Sequence, residues 1–137
     1  MGKKFHNLLY RRRQEYKTFS VVYCPCMAQY INFNSDGFNH LRFHIDGSPR
    51  NPREQMYKLG LLPLVIPAIK NASEVQEYKK ILAPYSRKKI KKEIEFWALV
   101  AIVGKKNTRV KIIVRRIGDG KLHFWSIMKL GENLKTP

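Results

Sequence analysis

The stretch Thr108-Arg-Val-Lys-Ile-Ile-Val-Arg-Arg-Ile-Gly-Asp-Gly-Lys-Leu-His-Phe-Trp-Ser-Ile-Met-Lys-Leu130 reads as two β-strands joined by a tight turn. Both halves are rich in Val, Ile and aromatic residues, and Asp119-Gly120 between them is a strong hairpin signal, because a type I′ turn needs positive φ at both central positions. That turn sets an expected register. Gly118 faces Lys121, Arg116 faces His123, Val114 faces Trp125 and Ile112 faces Ile127, while on the other side Arg115 faces Phe124, Ile113 faces Ser126 and Lys111 faces Met128. Side chains alternate between the faces of a sheet, so Val110, Ile112, Val114, Trp125 and Ile127 are expected to form the core face. Arg109, Lys111, Ile113, Arg115, Phe124 and Ser126 are left on an open, basic face.

Upstream, Glu95–Val103 has the same character and predicts a third strand, with Trp97 and Leu99 on the core face. The rest of the chain reads as shorter pieces. Leu8, Leu9, Tyr10 and Tyr16 on a polar background mark residues 1–20 as a basic arm or amphipathic helix. Val21–Tyr23 and Tyr30–Phe33 are short strands around Cys24-Pro25-Cys26, and Asn34–Gly37 is a turn. Asn51 before Pro52 is an N-cap with proline in the first turn, opening a helix over Arg53–Lys58 that stops at Gly60. Pro63–Asn71 predicts a second helix, with Pro67 expected to cost a bond or bend it, and Ser73 opens a further helical segment to about Leu82. Helices ahead of antiparallel strands define an α+β architecture: N-terminal helical segments packed on a C-terminal antiparallel sheet of three or more strands, with residues 21–137 as a single domain.

The chain holds 27 Lys plus Arg against 10 Asp plus Glu, a formal net charge of +17 on 137 residues. Residues 1–20 carry six bases and one acid, and residues 87–137 carry fourteen bases and four acids, so both ends feed a basic surface. Within the latter, the run Arg87–Lys92 reads as a solvated face or connection. Hydrophobic residues at 44% supply a packed core, so the charge points to a partner rather than to disorder. That partner is a polyanion, with RNA expected. No apolar stretch approaches the roughly 20 residues of a membrane helix, and the N-terminus lacks the apolar centre of a secretion signal, so a cytoplasmic location is expected. Cys24 and Cys26 are spaced too closely for an ordinary structural disulfide. Their spacing is also shorter than the two to four intervening residues usual in zinc sites, so a Cys₂His₂ set with His40 and His44 is not expected. No Walker loop, Rossmann glycine pattern, nucleophile elbow or acidic metal cluster occurs, and no cofactor is expected.

The stretch Arg109–Ser126, preceded by Phe96-Trp97-Ala98 and, further upstream, Asn39-His40-Leu41, resembles small bacterial and phage-associated proteins of the barnase, EndoU, colicin and RelE-like ribonuclease superfamily. The similarity covers roughly residues 30–130, and its most specific part is the Lys-x-x-x-Arg strand followed by His-Phe-Trp-Ser. It implies a twisted sheet whose open face cleaves RNA without a metal, often as a toxin held by an antitoxin or immunity protein. On this resemblance His40 corresponds to the histidine brought from the helical half to the sheet. Lys111 and Arg115 correspond to the strand cations, and Ser126 to the hydroxyl of the closing strand. Leu99-Val100 stands near the place of an acid, so no strand carboxylate is expected to act as base.

The residue types suit that chemistry. Attack by a neighbouring 2′-hydroxyl needs a base for its proton, an acid for the departing 5′-oxygen, and cations for the charged phosphorane. A histidine performs either proton transfer, Arg115 grips two phosphate oxygens, and Lys111 adds a charge about 13 Å along an extended strand. Ser126 donates to a non-bridging oxygen. His123 is the reserve acid/base, otherwise part of a structural cluster with Arg116 and Glu95. Arg109, Arg116 and Arg53 are expected to hold RNA, with Phe124 stacking a base. The competing function is a non-catalytic RNA- or DNA-binding module on the same face. A catalyst needs His40 or His123 within reach of Arg115 and Ser126, and a binder does not.

Overall fold

Residues 2–85 and 90–131 are described by a computed structural model. In chain order the elements are α1 (Gly2–Lys17), β1 (Val22–Cys24), β2 (Gln29–Ile31), α2 (Ser35–Arg42), α3 (Pro52–Leu61), a 3-10 turn over Leu62–Leu64, α4 (Val65–Asn71), β3 (Glu74–Tyr85), β4 (Ile90–Val103), β5 (Thr108–Ile117) and β6 (His123–Lys129). The last four form one antiparallel sheet in the order β3-β4-β5-β6, and β1 and β2 make a separate two-stranded ribbon. The architecture is α+β, with the helices ahead of the sheet. The basic run Arg87–Lys92 lies partly outside the described residues. No helix among those described is long and apolar enough to cross a membrane.

Local chemistry accounts for the helix ends. The Asn51 side chain accepts from the Glu54 N–H at 2.8 Å, with Pro52 in the first turn, as expected. Gly60 does not stop α3, which runs on to Leu61 and into the 3-10 turn. Pro67 breaks nothing, because it is the third residue of α4, where the N–H has no intrahelical acceptor. The expected turn at Asn34–Gly37 is instead a helix start: Asn34 caps α2 by accepting from the Gly37 N–H at 3.2 Å. The residues that suit a turn are the same ones that cap a helix.

The segment expected to be helical after Ser73 is the edge strand β3. Its Glu, Gln, Lys and Leu are good helix formers, but pairing with the longer apolar strand β4 from Glu74 to Tyr85 overrides that preference. Lys79, Lys80 and Pro84 along it are typical of a strand with one unpaired side.

The hairpin register is as expected from Lys111↔Met128 to Ile113↔Ser126, but a β-bulge follows, and the next pairs are Val114↔Phe124 and Arg115↔His123. The cause lies in the connection. Of Gly118, Asp119 and Gly120, only Gly118 has positive φ (54°), and the turn closes through Gly120 N–H donating to the Ile117 carbonyl. The segment after β2 then ties down the start of β6: Asn32 N–H donates to the Leu122 carbonyl and Phe124 N–H to the Asn32 carbonyl, each at 2.9 Å. The slip reverses two aromatic residues. Phe124, expected on the open face to stack a base, is fully buried, and Trp125, expected in the core, is half-buried on the open face.

One core joins helices and sheet: Leu9 of α1, Phe38 and Leu41 of α2, Leu59 and Leu61 of α3 and Val65, Ala68 and Ile69 of α4 meet Leu99, Ile112, Val114, Phe124 and Ile127. The first helix is therefore part of this packing, and Arg12 Nε donates to the Leu59 carbonyl at 2.9 Å. Helix α2 sits directly on β6 at Gly37, where an added Cβ would strike the Phe124 carbonyl oxygen and come within 2.9 Å of the Tyr16 hydroxyl. Gly37→Ala should therefore destabilise the protein by about 1–3 kcal/mol through overpacking, read by denaturant unfolding. An unchanged midpoint would contradict this close approach.

Candidate active site on the open sheet face

Because Phe38 and Leu41 turn into the core, Asp36 and His40, four residues apart on α2, share the face directed at the open side of the sheet. A cleft of about 700 Å³ separates α2 from the sheet, with Asp36, His40, Phe43, Ile94, Arg115 and Trp125 in its lining. His40 stacks on Trp125 with ring centroids 3.9 Å apart and planes 13° from parallel. The Arg115 guanidinium carbon lies 3.6 Å from the Trp125 ring centroid, so α2, β5 and β6 each contribute to one contact.

Three buried cations surround His40. Arg115 donates from Nε to His123 Nε2 at 2.9 Å and pairs through Nη2 with Asp36 at 3.2 Å. Arg50, next to the N-cap of α3, donates from Nε to the His40 carbonyl at 2.9 Å, lies 3.3 Å from His40 Nε2 and pairs with Glu54 at 3.1 Å. Lys58 of α3 donates to Ser126 Oγ and to the Ile127 carbonyl, both at 3.4 Å. Burying an ammonium against neutral oxygens is costly, and an arriving anion offsets that cost.

A guanidinium has donors only, so the imidazole nitrogens facing Arg50 and Arg115 must be acceptors. Both histidines are therefore neutral here and carry their proton on Nδ1. Their basicity agrees: burial foremost, then the charges of Arg50, Lys58 and Arg115, lowers the His40 pKa to about 4. Burial and then Arg115 lower that of His123, and burial lowers that of Lys58.

A histidine whose folded pKa lies below its unfolded value of about 6.5 stabilises the fold fully above pH 6.5, and this contribution is lost as pH falls toward 4. With its ring partly solvent-exposed, His40 should account for about 1–2 kcal/mol of acid destabilisation over that window, after discounting for screening. Unfolding curves at pH 7 and pH 4.5 check this, because His40→Asn should flatten the difference.

The structure brings His40, Arg115, His123 and Ser126 together. Ser126 is buried beneath Lys58, and His123 pairs with Arg115 rather than with Arg116. Lys111 is half-buried on the same face, paired with Val100 and Met128, outside the lining of the cleft, and Arg109 is exposed further along. Arg116 is on the opposite face, held by Glu95 at 2.7 and 2.9 Å above Trp97, and is thereby removed from the basic face. Arg53 is exposed on the first turn of α3.

Asp36, Arg50, Lys58 and Trp125 belong to the site but were not legible as such. The Asp36–His40 spacing becomes a signal once Asn34 is read as a helix cap, whereas nothing in the sequence marks Arg50 or Lys58 as buried. Among the described residues, no group of three or more His, Cys, Asp and Glu side chains is placed to hold a metal ion. No known protein family, curated protein or solved structure matches the chain.

Proposed function

We propose that the protein is a metal-independent endoribonuclease that cleaves RNA by attack of a 2′-hydroxyl on the adjacent phosphodiester. The observation that carries this reading is the stack of His40 on Trp125 beside the Arg115 guanidinium, which puts a proton acceptor next to cations in one cleft. A phosphate oxygen competes with His40 for the Arg50 guanidinium. Drawing that group away frees the Nε2 lone pair. The same anion offsets the charges that depress His40 and raises its basicity in the complex. His40 then takes the 2′-hydroxyl proton as the 2′-oxygen bonds to phosphorus. Arg115 and Arg50 hold the phosphorane charge, and the 5′-oxygen leaves with a proton returned by the imidazolium. The products are a 2′,3′-cyclic phosphate and a free 5′-hydroxyl.

The competing reading, a binding module, is favoured by the occupancy of both Nε2 lone pairs by guanidinium groups. Incubation of RNA with the purified protein in excess EDTA separates the two. Fragments ending in cyclic phosphate are expected, and intact RNA overturns the nuclease. Binding should weaken with salt at a log–log slope of about −3 if roughly four phosphates are neutralised, and a flat response would exclude both readings.

A further inference from the structure

The four-stranded sheet has two outer strands, and the chain treats them differently. Along β6 the outward backbone is taken up: Asn32 binds the Leu122 carbonyl and the Phe124 N–H, Lys58 donates to the Ile127 carbonyl at 3.4 Å, and the Lys129 N–H donates to the Tyr57 hydroxyl at 2.7 Å. Along the 12 residues of β3, no outward N–H or C=O has a partner among the described residues. An open edge of that length is a template for another strand.

The side chains along this edge carry the same asymmetry. Glu77 and Lys79, paired with Ala98 and Phe96 of β4, lie exposed on the open face, and neither has an ion pair or hydrogen bond among the described residues. Lys80, on the other face, is already held by Glu93 at 2.8 Å. Tyr78 between them is half exposed, with its ring centroid 5.3 Å from that of Trp97. Lysines on an outer strand ordinarily oppose pairing, so the outcome depends on which charges the incoming strand sets against them.

A second copy of the chain sets the right ones. Two copies related by a two-fold axis normal to the sheet pair antiparallel with like faces on one side, so one residue of β3 must face its own copy. If that residue is Glu77, Lys79 or Lys80, like charges oppose each other. If it is Ile81 or a later one, Pro84, which has no N–H, is drawn into the ladder, and before Glu77 the β-bulge interrupts the register. Tyr78 is left. About Tyr78, Glu77 falls opposite Lys79 of the second copy and Lys79 opposite its Glu77, so two groups that are partnerless within one chain satisfy each other twice. On the other face the two Tyr78 rings meet and continue the Tyr78–Trp97 row.

We infer that the protein self-associates through β3, as a two-fold dimer centred on Tyr78 and held by reciprocal Glu77–Lys79 pairs. The inference stands whether or not the cleft cleaves RNA. Its product is one eight-stranded sheet with both open faces on the same side. At about 4.8 Å per strand the two β6 strands lie about 34 Å apart, so both clefts face a single polyanion.

The net charge of +17 on each copy opposes association at long range, and salt screens it. Dimerisation should therefore strengthen between about 0.01 M and about 0.15 M salt, as the Debye length falls from about 30 Å to about 8 Å, whereas RNA binding weakens over the same range.

The test is sedimentation of the purified full-length protein, free of nucleic acid, from micromolar to near-millimolar concentration. A mass approaching twice that of the chain is expected at the higher salt. Glu77→Lys, an exposed change, sets two lysine pairs face to face and should weaken the dimer at least about tenfold. Adding Lys79→Glu to the same chain reverses both pairs and should return the affinity to within about threefold of wild type, which a merely misfolded single variant would not do. A monomer at every concentration would overturn the inference, as would a doubled mass that appears only when RNA is added. A dimer indifferent to Glu77→Lys, or one that the second substitution fails to restore, would overturn it equally.

Discussion

Replacing His40 by alanine should lower RNA cleavage by about 10²–10⁴-fold while leaving RNA affinity within about threefold of wild type, since a proton-transfer group acts mainly on the rate. His40 is the residue on which the cleft converges: it stacks on Trp125, faces Arg50, and loses basicity to burial and to the charges of Arg50, Lys58 and Arg115. That environment also predicts a pH signature. The acidic limb of kcat/KM, which reports the free enzyme, should fall near pH 4, and the limb of kcat should lie higher because the bound phosphate offsets the cations. A His40→Ala variant with full activity would move the proton transfer to His123, and the same substitution there would then decide.

The second large effect concerns the bulge in β6. Phe124→Ala should destabilise the protein by about 3–5 kcal/mol, because Phe124 is fully buried against Phe33 and the core of the sheet. Trp125→Ala should cost less stability, about 1–2 kcal/mol for a half-buried ring, but it should remove most of the cleavage by releasing His40 and Arg115 from their shared surface. Denaturant unfolding and initial rates on the two variants give the comparison. The opposite order, with Trp125→Ala the less stable, would restore the unbulged register.

That reversal marks the limit of what the sequence reveals. The hydrophobic pattern places Ile112, Val114 and Ile127 correctly, because the polar residues Lys111, Arg115 and Ser126 beside them mark the opposite face. Between His123 and Ser126 the chain reads Phe-Trp, two aromatic residues in succession, and either fits a core. The choice is made at Asn32, which holds the backbone on both sides of His123 from ninety residues away in sequence. A turn dipeptide cannot carry that information.

The site divides along the same line. Arg115 stands out because a cation on an open strand face is visible one residue at a time, whereas His40 and Ser126 are picked out only through the resemblance to known ribonucleases. Arg50 and Lys58 look like any other bases in a chain of net charge +17, and only their burial sets them apart. Arg116 is expected both to hold RNA and to join His123 and Glu95 in a structural cluster; strand alternation does send it to Glu95 on the other face, but His123 goes to Arg115 instead.

The most direct measurement uses DNA oligonucleotides each carrying one ribonucleotide, with each of the four bases in turn, incubated with the protein in EDTA and analysed by mass spectrometry of the fragments. The 2′-hydroxyl mechanism predicts one cut, immediately 3′ of that ribose, with a 2′,3′-cyclic phosphate on one fragment and a 5′-hydroxyl on the other, and no cut in the all-DNA control. Chimeras all left intact alongside salt-sensitive binding, or cleavage of the all-DNA control at a comparable rate, would contradict it.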